Sequence, residues 1–552
     1  MKRYTAISSL ISYLFFFIVS LAIVSCQSYQ YVLTTLTPHR IEVTKALDRE
    51  PIAKAADFLQ PYLVGVDSLR SPVVGHSAKY MSAGRPESLL SNWVADALVA
   101  MAERDGIKAD LGICNIGGLR ASLPKGAVTQ GDVLSISPFR NYFTIVKMRG
   151  TDMQQLMHDI AAVNGEGLSA SARLVITRDR RLSSATIGGQ PIDPERIYTV
   201  VTLDYLADGN DKLYSLKNSI ERTTTTTPTS EILMGYLAML EQQGRQATAE
   251  IEGRVSVNEE GEFPPSDSHP EAVSKEQTLA LAAANGASST RQLLIVHTND
   301  SHSCVEPLNP NLADTANADK GGYLRRAALL RDLRRDDPEL LLFDCGDFSQ
   351  GSAFYTLYHG DVEVGLMNMM KYDAATIGNH EFDFGLENMA RIFRMAKFPI
   401  VCCNYDFTGT PVEGLVKPYI IIKRAGVRVG VTGVAPQLEG LVPAHSCEGV
   451  RYTDPIAAVQ PVVDLLRNRE RCDIVVCLSH LGWQIAGVSD EELIPATQGI
   501  DVVLGGHSHT YFSSPQCLKN VNGKDVPDNQ MGKNARYVGT MRLNLARTKS
   551  KR

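Results

Sequence analysis

The chain has 552 residues, of which 44% are hydrophobic and 21% are charged, and its formal net charge is −6. This length and composition predict several domains with ordinary hydrophobic cores. The acidic balance, without a long basic run, argues against a surface that binds a nucleic acid polymer.

The first 26 residues have the pattern of an export signal. Lys2 and Arg3 precede a long apolar run at 7–24, and small residues then lead into Cys26. This order is typical of a secretory signal, and its end resembles a bacterial lipobox. We therefore expect an exported lipoprotein, held at the membrane through a lipid on Cys26 and facing the periplasm or lying on the outer membrane. A plain signal peptide or membrane anchor is the alternative.

The N-terminal half shows irregularly mixed elements. Residues 27–75 have no clear pattern, whereas 76–257 mixes amphipathic helices with short strands and predicts a separate α+β domain. The predicted helices are 90–101, 151–162 and 230–243, and the predicted strands are 110–114, 141–148 and 197–203. An acidic stretch rich in Ser, Pro and Ala follows at 258–290, which indicates a linker.

The pattern changes at residue 291, where short apolar runs begin to alternate with helical patterns. This alternation predicts a layered α/β domain at 291–546, with its site at the C-terminal ends of the strands. The predicted strands are 293–297, 340–343, 374–377, 427–434, 474–478 and 502–504. The predicted helices are 321–335, 361–371, 386–396 and 455–470. The expected fold class is therefore α/β, with a layered C-terminal half and a separate α+β N-terminal half.

Polar clusters follow these predicted strands. The candidate metal ligands are Asp300, His302, Asp347, Asn379, His480, His507 and His509. Carboxylate, imidazole and amide ligands without a thiolate suit Zn, Mn, Co, Fe or Mg better than they suit a structural zinc site. The set fits two divalent ions bridged by one carboxylate, which grip the attacking and leaving oxygens in phosphoester hydrolysis. His380, with Asp383 three residues later, is a candidate proton donor.

These motifs carry a resemblance to known families. The order D-x-H, G-D, G-N-H-E, H and G-H-x-H resembles the calcineurin-like metallophosphatases. The longer runs HTNDSH, DCGDFSQGS, IGNHEFDFG, KPYIIIKRAGVRVGVTG and IDVVLGGHSHT resemble the bacterial 5′-nucleotidase/UDP-sugar hydrolase family. The resemblance implies one metal ion on Asp300, His302, Asp347 and His509, and a second on Asp347, Asn379, His480 and His507.

The resemblance also implies a mechanism. Metal-activated water would attack phosphorus, and His380, backed by Asp383, would stabilise the transition state or protonate the leaving oxygen. His509 departs from the family pattern, which usually has Gln or Asn at this position.

Residues 84–254 resemble the nucleotide-binding domain of the same family, in the runs ESLLSNWVADA, NIGGLRASLPKGAVTQGDVLSISPFRN, LDYLADGND and IEGRV. The substrate-binding residues implied by this resemblance are Arg85, Asn115, Gly117, Arg120, Phe139, Asn141, Tyr205 and Asp211. Arg120 offers a guanidinium fork to phosphate. Phe139 and Tyr205 present aromatic faces to a base, and Asn141 and Asp211 offer polar atoms to base or ribose.

The two regions stand in the reverse of the family's order. We expect a metal-dependent phosphohydrolase that releases phosphate from nucleoside 5′-monophosphates. One alternative is hydrolysis of UDP-sugars or 2′,3′-cyclic nucleotides with the same metals, and another is a nucleotide-binding lipoprotein without turnover. The complete ligand set counts against the last, because an idle site need not keep it.

Overall fold

The computed structural model describes residues 29–139, 141–261, 279–281, 290–310, 316–485 and 487–549. The predicted export signal with Cys26 and most of the predicted linker lie outside these residues. The described part of the chain has an α/β fold in two regions with their own buried cores, as the sequence predicts. No helix within it is long and apolar enough to cross a bilayer.

Two β-sheets with a shared apolar core form the C-terminal region. One is an 8-stranded sheet in the spatial order Leu279–Ala280, Tyr29–Glu42, Tyr537–Lys549, Thr290–Thr298, Leu341–Asp344, Ala374–Ala375, Ile400–Val401 and Val416–Lys417. The other is a 6-stranded sheet in the order Tyr419–Arg424, Val427–Val434, Ile474–Ser479, Val502–Leu504, Asp525–Asn529 and Gln516–Lys519. Phe343 of the first sheet and Val476 of the second belong to one buried cluster. Strands buried on both faces read as continuous apolar runs, which is why they are visible in the sequence.

Helices cover the outer faces of these sheets. They are Tyr323–Asp336, Ala353–Tyr358, Asp361–Met370, Gly385–Met395, Pro455–Asp464 and Asp490–Ala496. The strands from Thr290–Thr298 to Val416–Lys417 run parallel in the first sheet, and those from Val427–Val434 to Asp525–Asn529 run parallel in the second. Because parallel strands end at the same edge of a sheet, the loops that follow them come together there.

The N-terminal region contains a 5-stranded sheet in the order Glu221–Pro228, Tyr142–Arg149, Ile197–Leu203, Leu111–Cys114 and Gly167–Leu168. A 4-stranded sheet and a strand pair complete it, with strands Val255–Val257, Ala172–Ile176, Leu182–Ile187, Gln190–Pro191, Val73–Ser77 and Gly126–Thr129. Its helices are Leu89–Arg104, Gln130–Ile136, Gly150–Ala162, Asp204–Ala207 and Thr229–Gln242. The six elements predicted for this half are therefore confirmed, with ends that differ by a few residues.

The segment before residue 75, for which the sequence shows no pattern, contributes to the C-terminal region. Strand Tyr29–Glu42 pairs antiparallel with Tyr537–Lys549 along its whole length. Helix Ala53–Arg70 buries Leu59 and Val66 in the core under the 8-stranded sheet. The first strand and the last strand of the described chain are therefore neighbours in one sheet.

Candidate active site

All seven predicted metal ligands lie in loops that follow the parallel strands. Ligand atoms of Asp300, His302 and His509 lie within 4.8 Å of one another, and so do those of Asp347, His480 and His507. A third group joins Asp347 to His302 and His380. Asp347 therefore stands between the two halves of the cluster, where the sequence places the bridging carboxylate.

The backbone of these loops is held in uncommon conformations. Positive φ angles of 46°, 46°, 54°, 73° and 56° occur at Asp300, His302, Asp347, His507 and His509. Residues with side chains rarely adopt this region, and a surrounding structure that enforces it is typical of functional sites.

Several polar atoms of the cluster have no hydrogen-bond partner, although they are buried. They are Asn379 Oδ1, His302 Nδ1 and His480 Nε2. The last lies 3.1 Å from Asp347 Oδ2 but outside hydrogen-bonding geometry. Buried polar atoms are normally satisfied, and these are atoms that bind divalent metals. The donor set present therefore fits the metal ions that the fold implies.

The charges of the cluster are strongly coupled. Burial, with Asp347 nearby, raises the pKa of Asp300 to about 7. Burial acts in the same direction on Asp347, but His480 and His380 outweigh it and hold the pKa of this carboxyl well below its usual range. Asp347 in turn overcomes the burial of His480 and raises the pKa of that imidazole to about 10. Asp347 is thus the ionised centre of the site.

His380 is oriented by a carboxylate, as the sequence predicts. Its Nδ1 lies 3.0 Å from Asp383 Oδ2, and its backbone N–H donates to Asp347 Oδ1 at 2.9 Å. Burial favours the neutral ring, but Asp383 and Asp347 outweigh it and raise the pKa of His380. Because Asp383 engages Nδ1, Nε2 is the ring nitrogen left to meet a substrate.

Glu381 is a residue to which the sequence interpretation gave no role. It is fully buried, and its carboxylate accepts from the backbone N–H groups of Asp347 at 3.1 Å and of Gly378 at 2.6 Å. A Cβ at Gly378 would stand 2.1 Å from Asp347 Oδ1. Glu381 and Gly378 therefore hold the loop that carries Asp347. Their place beside Asn379 in the GNHE motif is the sequence feature that could have indicated this role.

Two of the predicted nucleotide-binding residues reach this cluster from the N-terminal region. The ring centroid of Phe139 lies 5.5 Å from that of His380, and Arg120 Cζ lies 6.0 Å from the Phe139 centroid. Burial lowers the pKa of Arg120, while Asp347 and Asp300 act against this shift. A cleft of about 1260 Å³ is lined by residues of both regions, among them Arg120 and His302.

Three other predicted residues form a hydrogen-bonded group. Asp211 accepts from the Tyr205 hydroxyl at 3.0 Å and from Asn115 Nδ2 at 2.7 Å. Burial, followed by Asp211, raises the pKa of Tyr205 well above its usual range, and Asp383 adds to the shift. Gly117 leaves space beside Asp211. The group therefore lies on the side of the N-terminal region that faces the metal ligands.

The remaining two predicted residues have framework contacts. Arg85 pairs with the buried carboxylate of Glu166 and donates to the Val163 carbonyl at 2.9 Å. Its contact with substrate stays a prediction. Glu166 needs this cation, because burial raises its pKa to about 7 even with Arg85 beside it. The Asn141 carbonyl accepts from the Thr229 N–H at 2.8 Å, and its role in binding stays a prediction.

Comparison with known proteins agrees with this geometry. Residues 293–511 match the calcineurin-like phosphoesterase family, and residues 73–218 match the family described as 5′-nucleotidase, C-terminal domain. The chain therefore joins a calcineurin-like phosphoesterase domain to a 5′-nucleotidase C-terminal domain. The phosphoesterase domain comes second, which confirms the reversed order.

Curated relatives of this chain include the 5′-nucleotidases of Homo sapiens and Bos taurus. The human protein is 30% identical over 296 residues, or 50% of each chain, and the bovine protein is 33% identical over 271 residues, or 46% of each. The chain thus spans about half the length of the curated relatives it matches. The solved 5′-nucleotidase precursor from Thermus thermophilus is similar over 47% of this chain and 53% of that chain, with 30% identity and a TM-score of 0.42.

Proposed function

We propose that this chain is an exported, metal-dependent phosphohydrolase that releases phosphate from nucleoside 5′-monophosphates. The observation that carries the proposal is the approach of Phe139, a residue of the N-terminal region, to His380, with Arg120 beside Phe139 and lining the cleft. Phe139 then offers an aromatic face to a base, and Arg120 offers a guanidinium to a phosphate, both close to the metal-type cluster. A lipid on Cys26 would hold the enzyme at the membrane.

Two divalent ions complete the proposed centre. One would be held by Asp300, His302, Asp347 and His509, and the other by Asp347, Asn379, His480 and His507. When bound, such ions activate water at neutral pH and neutralise charge on phosphoryl oxygens. The buried Oδ1 of Asn379, which has no hydrogen-bond partner, supports this assignment.

The chain's own residues position the substrate and move a proton. Arg120 grips the phosphate, and Phe139 stacks on the base. His380 Nε2 gives a proton, or a hydrogen bond, to the leaving ribose oxygen, while Asp383 stabilises the charged ring. Tyr205, Asn115 and Asp211 form the polar wall for base or ribose.

A second candidate is hydrolysis of UDP-sugars by the same site. The cleft that His302 lines is also lined by Lys125 and Arg536. These two cations suit a second phosphate group. Phosphate release from AMP, UDP-glucose and 2′,3′-cyclic AMP by the metal-loaded chain separates the candidates.

A substitution at Phe139 tests whether this residue binds the base of the substrate. Phe139→Ala should lower kcat/KM for AMP by roughly 5- to 150-fold, since stacking of one base on one aromatic ring contributes about 1–3 kcal/mol. Hydrolysis of p-nitrophenyl phosphate, which carries no nucleobase, should change much less. Phe139→Tyr keeps the aromatic face and should retain AMP hydrolysis. An equal loss of kcat/KM on both substrates would show that Phe139 supports the catalytic residues and does not bind the base.

A further inference from the structure

The turn at 532–535 is tied to the loops that carry two of the metal ligands. The N–H of Gly532 donates to the Thr510 carbonyl at 2.9 Å, and Asn299 Nδ2 donates to the Gly532 carbonyl at 2.8 Å. The N–H of Asn534 donates to the Asp300 carbonyl at 2.8 Å. The residue between these anchors is therefore held beside the metal cluster.

That residue is Lys533, and its side chain lines the cleft together with Arg120. Burial lowers the pKa of Lys533 to about 7, and Arg120 and Arg536 add to the shift while Asp300 opposes it. Burial lowers the pKa of His509 well below its usual range, and the charge of Lys533 adds to this shift. Lys533 thus stands between the Asp300–His509 side of the cluster and the cations that line the cleft.

Neither cation has a carboxylate partner in the described part of the chain. No hydrogen bond or ion pair joins Lys533 Nζ, or the guanidinium of Arg120, to another residue described there. A partly buried cation normally finds a carboxylate, because an unpaired one is costly. Two such cations from opposite regions, facing one cleft, leave a place for an anion between them.

We propose that Lys533 is a phosphate-binding residue that acts with Arg120, so that one phosphate group is gripped by a cation from each region of the chain. The inference rests on the proposed function for its substrate and adds a residue that no motif marks. Lys533 supplies a point charge, and Arg120 supplies a planar fork. The phosphate would then join the two regions across the cleft.

The test uses the full metal-loaded chain and inorganic phosphate as the probe. Lys533→Met should weaken phosphate binding, measured by calorimetry, by roughly 10- to 100-fold, the range for a hydrogen bond to a charged group. KM for AMP should rise with it, whereas metal content should stay unchanged. Lys533→Arg should recover most of the affinity. Lys519→Met removes an exposed lysine that pairs with Asp525 and should change nothing.

Unchanged phosphate affinity and unchanged KM in Lys533→Met would overturn the inference. If that variant loses metal or melts early, Lys533→Gln, which keeps a polar end, gives the same comparison. A wild-type chain that binds phosphate but releases none from AMP would refute the proposed function alone. The phosphate affinity would then still test the role of Lys533, and a weaker affinity in Lys533→Met would support the inference.

Discussion

Replacing Asp347 by Asn should lower kcat/KM for AMP by more than about 100-fold, since even residues that only support a metal ligand contribute roughly 10- to 100-fold. The carboxylate lies in the ligand groups on both sides of the cluster. It also accepts the His380 N–H and lies 3.1 Å from His480 Nε2. Asn keeps the shape of the side chain but removes the negative charge that attracts the two metal ions. Metal content by mass spectrometry should fall with activity.

A matched control separates this effect from the loss of any carboxylate. Asp373→Asn removes an acid of the same region that pairs with Arg424 at 2.7 Å, away from the cluster. It should keep both metal content and AMP hydrolysis. Full metal occupancy and normal turnover in Asp347→Asn would refute the bridging assignment.

Replacing His380 by Ala should lower kcat for AMP by roughly 10²–10⁴-fold, the usual contribution of general acid–base catalysis. The metals should remain, because His380 is not among the seven assigned ligands. Asp383 engages the ring at 3.0 Å, so Asp383→Asn should give a smaller loss in kcat by weakening the support for the charged imidazole. Steady-state kinetics with metal analysis on each variant checks both expectations. A rise in KM with unchanged kcat would place His380 in ground-state binding instead.

The metal centre was predictable because each ligand directly follows a short apolar run. Parallel strands bring such positions together, so Asp300, Asp347 and His480 meet although they are far apart in the chain. Phe139 was identified as a binding residue through the family resemblance, and no local pattern predicts its contact with His380. This contact depends on how the two regions pack, which no periodicity encodes.

Strand Tyr29–Glu42 was missed for a different reason. Its partner lies at the other end of the chain, and its register shifts between Leu33 and Thr35. The shift puts Leu33 and Leu36 in the same buried cluster although they are three residues apart. An irregularity of this kind breaks the alternation by which a strand is recognised.

Two cationic residues show the limits of motif reading. Arg85 stands near a family position, and its pairing with the buried Glu166 is a contact that no motif shows. Lys533 belongs to no quoted run, yet the anchored turn at 532–535 places it in the cleft. Charge balance at a site depends on neighbours that are distant in sequence, so it became visible only in three dimensions.

The most direct test of the account is metal removal and return. The purified full chain is stripped with a chelator, and phosphate release from AMP is measured as a divalent ion such as Mn²⁺, Zn²⁺ or Co²⁺ is added back. We expect no release from the stripped chain and recovery that saturates at two ions per chain. AMP hydrolysis that persists without metal, or a chain loaded with two ions that releases no phosphate from AMP, would contradict the account.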